Sequence, residues 1–166
     1  PGPLYNYLIK RDGTIVTLTA ENVKANHAGR GMQTVLTRMQ KNLPVTGNAS
    51  GPGKISANAR LVGVSIINDG LGQDVPEAQM DALVDLCAFL CDGHNWNPDV
   101  AVVGHKEWTS RKVDPSFSMP DLRALIHRRM VTDAPTMVLP KEPEDGIVSY
   151  PGLLKKGSRS HAVRFV

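Results

Sequence analysis

The chain has 166 residues, a formal net charge of +3 and 41% hydrophobic residues, enough apolar material for one core and one main domain. No apolar run approaches the roughly 18 residues of a membrane-spanning helix, and no signal peptide is visible. So mild a positive charge does not single out nucleic acid as a partner. It is compatible with weak attraction to an anionic surface.

The first patterned segment, Tyr5 to Val16, reads as a hairpin. Two apolar runs flank Arg11-Asp12-Gly13, and Asp-Gly between such runs is a strong turn signal. Strands are expected near 4–10 and 14–18. Asn26-His27-Ala28-Gly29 follows, then a helix expected near 30–41. Residues 44–58, rich in Gly, Pro, Ser and Asn, read as a long surface loop beside the expected cleft. Leu61 to Ile67 is an apolar run ending at Asn68-Asp69-Gly70 and reads as a central strand.

The clearest helix is expected near 76–92. Pro76 lies in its first turn, and Met80, Leu83, Val84, Cys87, Leu90 and Cys91 recur at helical spacing. Cys87 and Cys91 then read as two core thiols. His94 reads as a surface residue. A further strand is expected near 100–104, from Val100-Ala101-Val102-Val103. A last helix, near 119–130, carries Leu122, Leu125 and Ile126 on one face, with His127 at its end. These elements predict an α/β (α+β) fold: a central mixed sheet flanked by helices.

Chemistry concentrates in Gly104 to Pro115. A His leaving a buried strand is held rigidly, and a turn can bring Lys112 and Asp114 back beside His105. Imidazole and carboxylate are both zinc ligands. A Lys two residues before a carboxylate ligand is placed to stabilise negative charge that develops in a reaction.

Four segments in order, Tyr5–Gly13, Asn26–Gly29, Gly63–Ser65 and His105–Pro115, resemble the type-2 N-acetylmuramoyl-L-alanine amidase family over roughly residues 4–130. That family includes phage endolysins and peptidoglycan recognition proteins. The resemblance implies Zn²⁺ as cofactor, His105 and Asp114 as two of its ligands, and Tyr5 and Lys112 as the catalytic pair. Tyr7 shares a strand face with Tyr5, and the family register selects Tyr5. His27 and Trp108 are expected to contact substrate at the cleft rim. Ser65 stands where other members carry a Glu, so no general base is expected there.

The family's first ligand lies on a strand ahead of the Tyr hairpin, and none of the five His residues precedes Tyr5. The third ligand is therefore expected upstream of residue 1, with His27 as the less favoured substitute. The implied substrate is the amide between N-acetylmuramic acid and L-alanine in bacterial peptidoglycan. The implied setting is a monomeric phage endolysin that passes from the host cytoplasm to the periplasm and cell wall. A non-catalytic peptidoglycan-recognition module on the same fold is the alternative.

Beyond the domain expected at 1–130, residues 131–149 read as a Pro- and charge-rich linker. Residues 150–166 resemble the truncated start of a peptidoglycan-binding type-1 domain, too short to build a core and expected to be poorly ordered.

Overall fold

The structure is a computed structural model. It describes residues 2–69 and 72–132, together with the backbone of 161–165. Most of the expected linker and the first residues of the segment at 150–166 lie outside the described residues.

Strands β1 (Tyr7–Ile9) and β2 (Ile15–Thr17) form the expected antiparallel hairpin, Tyr7 opposite Thr17 and Ile9 opposite Ile15. Its turn needs Gly13, whose φ of 84° is left-handed and where a Cβ would stand 2.7 Å from the Ala78 carbonyl oxygen. The Thr14 backbone N–H donates to Asp12 Oδ1 at 2.9 Å and holds that carboxyl below its usual pKa.

β1 runs parallel to β5 (Val62–Ile66). The main sheet has the order β2-β1-β5-β7-β6, with β6 Val103–Gly104 and β7 His161–Phe165. β7 is antiparallel to both neighbours, with Gly63 opposite Arg164 and Gly104 opposite Val163. Residues 161–165 thus lie in the main sheet between β5 and β6. Pairing on both sides satisfies the backbone groups that β5 and β6 turn toward each other.

The alternation of β1 and β5 sorts their side chains onto two faces. Tyr7, Ile9, Val62, Val64 and Ile66 enter one core with α2 (Glu77–Gly93) and α5 (Met119–Thr132). Leu83, Leu86, Cys87, Leu90 and Cys91 of α2 and Leu122 and Ile126 of α5 are buried there, whereas Leu125 is exposed. Gln79, fully buried, ties the start of α2 to the sheet by donating from Nε2 to the carbonyls of Ile9 and Ile67 at 3.1 and 3.0 Å. His127 does not end α5. It lies inside the helix, 3.2 Å from the Asp99 carboxylate.

The second core holds α1 (Gln33–Gln40) through Val35, Leu36 and Met39, with Val45, Val100, Val103 and Trp108. A two-stranded sheet, β3 (Arg30–Gly31) with β4 (Ile55–Ser56), lies beside it.

The strand expected near 100–104 starts late: residues 100–101 fall in the short helix α3 (Pro98–Ala101). Asn97 caps it by accepting the Asp99 N–H at 3.0 Å, and Pro98 fits its first turn, so the local start signal overrides the β-branched run. The loop at 44–58 runs over the surface as expected and is strapped down there: Val45 is buried, and Ala49 N–H donates to the Lys106 carbonyl at 2.8 Å.

Both thiols are free and buried. Desolvation pushes Cys87 well above the usual thiol value and Cys91 up to about 12. Neither thiol should react with a disulfide reagent in the native protein near about pH 8, because the thiolate is the reactive form. Both should react once the chain is denatured. A rapid native reaction of either would contradict the packing of α2. Among the described residues no helix is long and apolar enough to cross a membrane.

Candidate active site

The hairpin, the His27 turn and the segment after β6 converge on one cleft of about 750 Å³. Tyr5, Asn26, His27, Ala28, Arg30, His105, Arg111, Lys112 and Asp114 are among its lining residues. The structure therefore brings together Tyr5, His27, His105, Lys112 and Asp114, all read as site residues from the sequence.

His105 opens the short helix α4 (His105–Trp108) directly after β6. The chain then turns at Thr109–Val113 and returns, so that His105 Nδ1 lies 2.9 Å from Asp114 Oδ2. The Lys106 N–H closes this turn on the Asp114 carbonyl at 2.7 Å. Two buried groups hold α4 from behind. Glu107 accepts the Gly104 N–H at 2.9 Å and pairs with Arg123 of α5, whose Nε donates to the Val102 carbonyl at 2.9 Å. Thr109 donates from Oγ1 to the Pro52 carbonyl at 2.8 Å, so the 44–58 segment braces the same turn.

Tyr5 is positioned by its neighbour. Asn6 is completely buried; its Oδ1 accepts the Gly63 N–H at 2.8 Å and its Nδ2 donates to the Ala20 carbonyl at 2.7 Å. Its own N–H donates to the Gly63 carbonyl at 2.9 Å. Asn6 thus stitches the start of β1 to β5 and to the loop after β2, and Tyr5 leaves that stitch toward the cleft. Tyr7 belongs elsewhere: it is buried and donates to Glu21 Oε1 at 2.9 Å.

The His27 ring lies over Gly63 of β5, where a Cβ would come within 2.6 Å of it. Gly63 is therefore the residue that makes room for the imidazole. His27 Nδ1 meets the Ala25 carbonyl at 3.2 Å. A neutral ring donating there carries its lone pair on Nε2.

Trp108 is not at the rim. It is completely buried and donates from Nε1 to the Ala28 carbonyl at 3.1 Å, and it fills space that a Cβ on Gly31 would occupy, 2.1 Å from the indole. The single turn of α4 folds the indole inward, where its apolar area and its N–H are both accommodated. Its role is to carry the His27–Arg30 turn from below. Ser65 is also buried and does not line the cleft.

The sequence profile of the family described as N-acetylmuramoyl-L-alanine amidase matches residues 1–117. The chain belongs to that family. The mixed sheet with flanking helices agrees with it, and peptidoglycan is the substrate class of this amidase. Comparison with curated proteins and with solved structures gives no match.

Zinc, which the family implies, can be tested against the residues of the cleft. His105 and Asp114 supply a nitrogen and an oxygen donor side by side. A catalytic zinc site takes three protein ligands, and among the described residues no group of three His, Cys, Asp or Glu side chains converges. His27 lines the cleft but does not complete such a group. His105 and Asp114 thus fit two of the three positions that such a site needs.

Reading the sequence alone did not identify Asn6, Arg30 or Arg111 as site-forming. Asn6 carried a signal, a polar residue inside the apolar run Tyr5–Ile9. Arg30 and Arg111 carried none, because exposed arginines are ordinary in loops.

Proposed function

We propose that this amidase is a zinc-dependent hydrolase that cuts the amide between N-acetylmuramic acid and the L-alanine of the peptide stem. The observation that carries this reading is the His105–Asp114 contact of 2.9 Å inside a cleft that also holds Tyr5, His27 and Lys112. His105 and Asp114 are two ligands in this reading, and the third comes from outside the described residues. Zinc, when bound, polarises the scissile carbonyl and lowers the pKa of a bound water.

The remaining work falls to this chain's own side chains. The Lys112 ammonium, exposed at the cleft wall, neutralises charge that builds on the carbonyl oxygen. The Tyr5 hydroxyl is a second donor to the same oxygen. Asp114 orients the His105 ring. His27, seated on Gly63, forms a wall against which the sugar–peptide junction rests. A bacteriophage endolysin that reaches the wall of its host from the cytoplasm is the biological setting this reading favours, and the resemblance of the four segments supports it.

The experiment pairs zinc stoichiometry of the purified chain with detection of new L-alanine amino termini from isolated cell walls. Zinc near one per chain with new L-alanine termini is the expected result. Wall binding with neither zinc nor new termini would replace this reading with a non-catalytic recognition module.

A further inference from the structure

The charge of the cleft is one-sided. Arg30, Arg111 and Lys112 all line it and all are exposed. Its one lining carboxylate among the described residues, Asp114, is engaged with His105. The ion pairs of the described residues involve Arg11, Arg123, Arg129 and three histidines, and none includes Arg30, Arg111 or Lys112. Three cations that share one carboxylate already engaged with His105 repel one another, and an arriving anion relieves that repulsion.

Arg111 is also held in place. Its Nη2 donates to the Arg30 carbonyl at 2.6 Å, which pins the guanidinium across the cleft from the Lys112 side to the β3 side. Arg30 follows a turn whose Ala28 and Gly29 N–H groups both donate to Asn58 Oδ1, at 2.7 and 2.8 Å. A guanidinium on a fixed backbone loses little freedom on binding, and its planar fork matches a carboxylate.

We propose that Arg30 and Arg111 form a carboxylate subsite that selects stem peptides bearing a free carboxylate next to the L-alanine over those in which it is amidated. This rests on the cleft being the amidase site. Lys112 stays with the scissile carbonyl, and the two arginines grip the peptide on the leaving side. An amide in place of the carboxylate loses the charge-assisted hydrogen bonds, and such bonds are roughly twice as strong as neutral ones.

The test uses two probes, N-acetylmuramoyl-L-alanyl-D-isoglutamyl-L-lysine and the same compound with D-isoglutamine. Equilibrium binding of each to the full chain is measured by calorimetry, and release of the L-alanine amino group is followed in the same samples. The isoglutamyl probe should bind about tenfold more tightly, the scale of one charged hydrogen bond. Arg30→Gln, which changes an exposed side chain, should reduce that ratio, and Arg30→Gln with Arg111→Gln should bring it to about one. Equal binding of the two probes, or a preference that survives in the double variant, overturns the subsite. Carboxylate-dependent binding without release of L-alanine would support the subsite and overturn the hydrolase reading, so the two failures are distinguishable.

Discussion

His105→Ala should abolish release of L-alanine from cell walls while leaving the fold intact. Residues that merely orient a metal ligand already cost 10–100-fold when changed, so loss of a ligand should cost more than about a hundredfold. The ring is buried at the cleft wall, where its Nδ1 meets Asp114 Oδ2 at 2.9 Å. The neighbours that hold the segment, Glu107, Arg123 and Thr109, are untouched. Thermal unfolding should therefore shift by only a few degrees, and zinc content should fall with activity. Asp114→Asn is the informative companion. It keeps the shape of the side chain and removes the charge, so it should retain the turn while weakening zinc binding. Wild-type turnover by His105→Ala would remove this residue from the chemistry.

The readable parts of the fold were those in which a local pattern and its structural cause coincide. Asp12-Gly13 announces a turn because only Gly tolerates the left-handed backbone found there, and α2 announces itself through a stripe that the core then buries. The meeting of His105 with Asp114 was readable because the eight residues between them suffice to return a carboxylate to the end of a strand. What remained hidden depended on distant partners. The fate of Trp108 is decided by the missing side chain of Gly31, 77 positions earlier in the chain, and the same bare backbone is approached by Gly53. The strapping of residues 44–58 depends on carbonyls of Gly51 and Pro52 meeting Ser110 and Thr109, which no spacing rule encodes. Asn6 looked like an interruption of a strand, and only the facing main chain of Gly63 turns it into a stitch.

Glu107→Ala should be the most destabilising single change near the site. Glu107 and Arg123 are each less than 5% exposed, and the pair serves three ends: the Gly104 N–H, the Val102 carbonyl and each other's charge. Removing one partner of such a pair leaves a buried charge uncompensated, at about 3–5 kcal/mol. For a chain of this size that corresponds to a fall in Tm of roughly 10 °C. Glu107→Gln should fall between, since its amide oxygen still accepts from Gly104 but leaves Arg123 uncompensated. Replacing both partners by Met should restore much of the stability, because apolar pairs of similar volume often substitute for buried ion pairs. Restored stability need not restore function. β6 and α4 carry His105, and without the clamp the main chain from Val102 to Gly104 loses its tie to α5. The double variant should melt near the parent protein yet bind zinc more weakly and cleave more slowly. A double variant as active as the parent would show that the clamp serves the fold alone.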